Sequence, residues 1–65
     1  MRRSVRPDVP LDDVRVLLVE DHAVVREVIS RLLEHFGARV TAVPGAPETL
    51  EAMERERPDV VLSDL

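Results

Sequence analysis

Hydrophobic and polar positions change their period several times along this chain. Val14-Arg15-Val16-Leu17-Leu18-Val19 is a short, nearly all-apolar, β-branched run, which predicts a strand buried on both faces. Val25, Val28, Ile29, Leu32, Leu33 and Phe36 then recur at helical spacing, with Arg26, Glu27, Ser30, Arg31, Glu34 and His35 on the other faces. Gly37 follows, suited to the left-handed residue that closes a helix. Arg39-Val40-Thr41-Ala42-Val43 predicts a second strand, broken by Pro44-Gly45-Ala46. Pro47 suits the first turn of a helix, Glu48 and Glu51 place negative charge near its start, and Leu50, Met53, Ala46 and Ala52 are its candidate inward positions. That helix ends before Pro58. Val60-Val61-Leu62 predicts a third buried strand. The order is β-α-β-α-β, the alternation of a parallel α/β sheet with right-handed crossovers.

Composition narrows this picture. With 65 residues there is room for one small domain. Residues 1–13, rich in Arg, Pro and Asp and without periodicity, read as a disordered leader, and 14–65 as the folded part. The absence of Cys excludes disulfides and thiolate metal sites and suits a cytoplasmic location. A net charge of −4 and a single aromatic residue, Phe36, argue against nucleic-acid contact. No apolar stretch approaches the ~18 residues of a membrane span, and the basic tail at Arg2, Arg3 and Arg6 lacks the apolar core of a secretory signal.

The candidate chemistry lies at the strand ends. Val16–Val19 gives way at once to Glu20, Asp21 and His22, and Val60–Leu62 to Ser63 and Asp64. Ligands of parallel α/β sheets bind beyond the carboxyl ends of the strands. If the first and third strands are neighbours, Glu20, Asp21 and Asp64 converge there. Three carboxylates tolerate one another when a cation bridges them, and an oxygen-only set favours Mg²⁺ or Mn²⁺. Beside such an ion a carboxylate can act as a nucleophile toward a phosphoryl group. Asp21 alone would serve equally well as a helix cap; the joint pattern of acids at matching strand ends is what points to a site. His22 reads as the start of the helix and His35 as a residue near its end, neither with a catalytic role. Only two glycines occur, Gly37 and Gly45, so no phosphate-binding glycine loop is present.

Together, Val16-Leu17-Leu18-Val19-Glu20-Asp21-His22, Arg26-Glu27-Val28, Leu32-Leu33-Glu34, Gly37-Ala38-Arg39-Val40 and Arg57-Pro58-Asp59-Val60-Val61-Leu62-Ser63-Asp64-Leu65 resemble the receiver domain of two-component response regulators. The run Gly37–Val43 also resembles receivers attached to hybrid histidine kinases. The resemblance implies the flavodoxin-like fold, here as the βαβαβ half of a doubly wound parallel sheet, with strand order 2-1-3 of 2-1-3-4-5. It implies Asp64 as the phosphoacceptor, taking a phosphoryl group from a phosphohistidine of a partner histidine kinase. It implies Glu20, Asp21 and Asp64 as the Mg²⁺ ligands, in a signalling domain that is not an enzyme. The family also uses a hydroxyl residue after strand four, a lysine after strand five and a backbone carbonyl two residues past the phosphoacceptor. This chain ends at Leu65 and contains no lysine, so phosphoryl transfer is expected to be absent or impaired in the 65-residue segment. Two other readings follow from the same residues. One is a non-phosphorylated interaction module that self-associates through strand 59–64; the other is part of a Mg²⁺-dependent phosphohydrolase.

Overall fold

A computed structural model describes residues 9–63 of the chain. Five elements follow one another: β1 (Arg15–Val19), α1 (Ala23–His35), β2 (Arg39–Val43), α2 (Ala46–Glu56) and β3 (Val60–Ser63). The three strands form one parallel sheet in the order β2-β1-β3. This is the architecture that the alternation of apolar runs and the family resemblance lead one to expect.

The central strand carries the core. Val16, Leu17 and Leu18 are all buried, as a strand flanked on both sides and covered on both faces requires. Leu17 meets Val43 of β2 and Ala52 of α2, and Val19 packs against the same cluster. Val16 and Leu18 alternate with these and point to the opposite face.

α1 packs on β2 and β1 through the half-buried Ile29 and Leu33. The rest of the predicted stripe is not buried: Val25, Val28, Leu32 and Phe36 remain exposed. The same holds on α2, where Ala52 is fully buried while Leu50 and Met53 face outward. The reason is which strands the helices cover. Both helices lie over β1 and β2, and neither lies over β3. The apolar positions of each stripe that do not face β1 or β2 therefore stay uncovered. β3 itself, predicted as a buried strand, is exposed at all four residues because β1 is its sole neighbour among the described elements.

The ends of the elements have local causes. α1 closes in a Schellman arrangement: the Gly37 amide donates to the Glu34 carbonyl (2.9 Å) and the Ala38 amide to the Leu33 carbonyl (3.1 Å). Gly37 takes the left-handed conformation this needs, with φ of 98°. Residues 9–13, assigned to the leader from sequence, form a turn against this cap. Leu11 N–H donates to the Phe36 carbonyl at 2.8 Å and Asp13 N–H to the Gly37 carbonyl at 3.2 Å. α2 begins at Ala46 with Gly45 as its N-cap and Pro47 in its first turn, and ends at Arg57 in a left-handed conformation. Asp59 then ties β3 to β1: its carboxylate accepts from the Arg15 amide (2.9 Å) and its own amide donates to the Arg15 carbonyl (2.8 Å).

Candidate metal centre at the carboxyl ends of the strands

The strand register brings one level of the sheet to this edge. Val19 pairs with Val43 on one side and with Ser63 on the other. Beyond Val19 the chain makes one more sheet-like bond, from the Glu20 amide to the Val43 carbonyl (3.0 Å), and then bends at Asp21 into α1.

Glu20 and Asp21 are adjacent yet opposite in environment. Glu20 is only 4% exposed, whereas Asp21 is exposed to solvent. Burial of a carboxylate is costly unless its oxygens are bonded. Here Glu20 Oε2 accepts the His22 backbone amide at 3.0 Å and lies 3.2 Å from His22 Nδ1. The Arg26 guanidinium donates to the Glu20 carbonyl at 2.9 Å, which holds the backbone of the turn from one helical turn away. Asp21 Oδ1 lies 3.0 Å from the same His22 Nδ1. With its proton on Nδ1, the His22 ring bridges the two carboxylates.

This arrangement moves the protonation equilibria. The hydrogen bond that His22 donates to Glu20, and then the charges of Asp21 and Glu20, raise the His22 pKa above its ordinary range. Asp21 is pushed below the usual aspartate range, first by its hydrogen bond with Glu20 and then by the charge of His22.

His22 is also the N-cap residue of α1, but its side chain makes no capping bond. Its carbonyl accepts the first helical bond, from Arg26 N–H at 2.8 Å. Asp21 does not cap the helix. Sequence reasoning placed His22 at the helix start and gave Arg26 no role. Their part in this turn depends on a bend that apolar periodicity does not encode.

Donor atoms of Glu20, Asp21 and His22 all lie within 4.8 Å of one another. Two carboxylates and one imidazole nitrogen suit a divalent cation. Asp64, the third carboxylate expected here, lies outside the described residues. The residue before it, Ser63, is at the level of Val19, the residue before Glu20. Beside Asp21 an apolar groove of about 530 Å³ runs between α2 and β3, lined by Val19, Pro44, Leu50, Val61 and Ser63 among others. A larger cavity, of about 600 Å³, is lined by Arg15, Arg39 and Arg55 near the other end of the sheet. These arginines are already engaged by the Glu56 carbonyl, by Asp13, and by Glu51 and Glu56, so they make no anion site.

Comparison with known proteins decides the family. The model of the response regulator receiver domain matches residues 16–65. The chain belongs to this family. It is 44% identical over 52 residues to the sensory/regulatory protein RpfC of Xanthomonas campestris, an alignment covering 80% of this chain and 7% of that protein. It is 43% identical over 54 residues to the transcriptional regulatory protein CseB of Streptomyces avermitilis, covering 83% of this chain and 23% of the relative. A third relative is the sensor protein TorS of Escherichia coli, 32% identical over 56 residues, with 86% of this chain and 6% of TorS covered. The chain thus spans a minor part of these relatives' lengths. No solved structure matches it. Receiver domains accept phosphoryl groups from histidine kinases and bind Mg²⁺ at an acidic cluster. Among the described residues no helix is long and apolar enough to cross a membrane.

Proposed function

We propose that this receiver takes a phosphoryl group from a histidine kinase in the cytoplasm onto Asp64, with Mg²⁺ held by Glu20, Asp21 and Asp64. The observation that carries this reading is the register. Val19 pairs with Ser63, and these residues directly precede Glu20 and Asp64 in the sequence. An Asp64 carboxylate oxygen would attack the phosphorus of the donor's phosphohistidine. The new O–P bond forms as the P–N bond breaks, and the leaving imidazole nitrogen takes up a proton. Bound Mg²⁺ would offset the carboxylate charge and draw the phosphoryl oxygens to the site. Glu20, held by the His22 amide and backed by Arg26, keeps a fixed oxygen at this edge, while exposed Asp21 can turn toward a ligand.

The test is labelling with a small-molecule phosphodonor and Mg²⁺, read by mass spectrometry. Asp64 should gain one acid-stable, hydroxylamine-labile phosphoryl group, lost in Asp64→Asn. Labelling should be slow, because the chain has no lysine to neutralise the phosphoryl oxygens. Equal labelling of Asp64→Asn would refute the assignment.

A second reading draws on β3, whose Val60, Val61 and Leu62 are 42%, 44% and 39% exposed. An apolar edge strand of this kind is a template for pairing with another chain. On this reading the chain is an interaction module that dimerises through strand 59–64. Sedimentation would then show a dimer that Val61→Lys dissociates, and a monomer at all concentrations would count against it.

A further inference from the structure

We propose that a second copy of this chain docks on the α1 face of the sheet, the two α1 helices packing antiparallel and each covering β3 of the other copy. The surface lies away from the acidic edge, and the inference does not depend on the phosphoryl-transfer reading. Three observations carry it.

The first is that two bare apolar surfaces share one face of the sheet. Leu17 and Val43 meet Ala52 of α2, whereas Val16 and Leu18 point the other way. α1 and α2 do not touch, so α1 lies on the Val16 and Leu18 side. Val60 and Leu62 pair with Val16 and Leu18 and so point to that side as well. Both are exposed, and no other described element stands on this face beside α1. The surface is a step, with β3 as its floor and α1 as its wall.

The second is the breadth of the free face of α1. Val24, Val25, Val28, Leu32 and Phe36 are all exposed. At 3.6 residues per turn they span an arc of about 120°, apart from the half-buried Ile29 and Leu33 that rest on the sheet. An arc of that breadth can meet a helix and a strand at once. A second α1 lying on the step meets both.

The third is self-complementarity. A two-fold axis sets the same patch of each copy against itself. With antiparallel helices crossing near residue 30, Val28 faces Leu32 and Val24 faces Phe36, the smaller side chain against the larger. Glu27 and Arg31, joined at 2.7 Å along one edge of the stripe, then lie beside Arg31 and Glu27 of the second copy. Opposite charges thus meet on both sides of the axis. One helix face and one short strand make a patch at the low end of specific interfaces, so the dissociation constant should be on the order of 0.1 mM. At micromolar concentration the chain is then a monomer with β3 uncovered.

The experiment is sedimentation of the 65-residue chain from about 10 µM to 1 mM, with isotope-filtered NMR at the upper end. The parent chain should pass from monomer to dimer across this range. Val28→Lys and Leu32→Lys should each weaken the dimer at least ~tenfold, since a lysine there would be buried against apolar side chains. Val61 pairs with Leu17 and faces the α2 side, so Val61→Lys should change the dimer by less than about twofold, unlike a dimer paired through the β3 edge. Val28 and Leu32 are 60% and 55% exposed, so their replacement leaves the monomer folded, which the dispersion of the amide spectrum verifies. Val24 and Phe36 of one helix stand ~18 Å apart, so a nuclear Overhauser contact between them arises only across the antiparallel pair. A monomer at every concentration overturns the inference. So does a dimer that Val61→Lys dissociates and Val28→Lys does not.

Discussion

Gly37 joins two parts of the chain through the absence of a side chain. Its φ of 98° closes α1, and a Cβ there would overlap the Val9 side chain and stand 3.0 Å from Asp12 Cα. A left-handed conformation alone costs a non-glycine residue ~1–2 kcal/mol. Gly37→Ala should therefore lower unfolding stability by about 2 kcal/mol or more, read from the urea midpoint. A loss under about 0.5 kcal/mol would show that the turn at 9–13 yields freely. His22 gives a second prediction at this scale. Its pKa is raised above the ordinary 6.5 by the Glu20 hydrogen bond and the Asp21 charge. The sign follows from linkage: the charged ring favours the folded state below the unfolded pKa, and this contribution disappears as pH rises through the folded value. An NMR titration of the metal-free chain should give a His22 midpoint above 6.5, brought down by Glu20→Gln. A midpoint at or below 6.5 would contradict the bridged geometry.

Among the elements, β1 and β3 look alike in sequence and differ in the fold. Val16-Leu17-Leu18 and Val60-Val61-Leu62 are both short aliphatic runs ending near acids, and both read as buried strands. Only the first is buried, because it lies between two neighbours and beneath two helices. The order 2-1-3 leaves β3 at the edge of the described sheet. Leu17→Ala should accordingly cost ~2–5 kcal/mol, whereas Leu62→Ala should cost under about 1 kcal/mol. Thermal unfolding of the two variants checks the contrast; equal losses would mean that β3 is covered in solution. The helices repeat the lesson. Periodicity identified both of them and the Gly37 terminus, since 3.6-residue spacing and a left-handed cap are local properties. It could not say that Ile29, Leu33 and Ala52 meet the sheet while Val28, Leu32 and Leu50 do not, since that depends on how far the sheet extends beneath each stripe.

For the molecule as a whole, the buried apolar set is small: Val16, Leu17, Leu18, Ala38, Val43 and Ala52 among the described residues. A single core in a chain of this size rarely supplies more than ~3–5 kcal/mol. A ligand that binds only the folded state then matters greatly. Mg²⁺ at about 100 times its dissociation constant should add ~2.7 kcal/mol, raising the thermal midpoint, and EDTA should reverse the gain. No shift at any Mg²⁺ concentration would mean that Glu20 and Asp21 do not hold the ion. The sequence by itself determined the succession of strands and helices, the Gly37 stop and the acids that follow β1, because each is written in local periodicity or in adjacent residues. Only the tertiary structure decided the rest. The pairing of Val19 with both Val43 and Ser63 sets the level at which the strand ends meet. The bend at Asp21 turns the His22 ring back between Glu20 and Asp21. Both depend on contacts between residues distant in sequence or on the path of a single turn, and neither leaves a periodic trace along the chain.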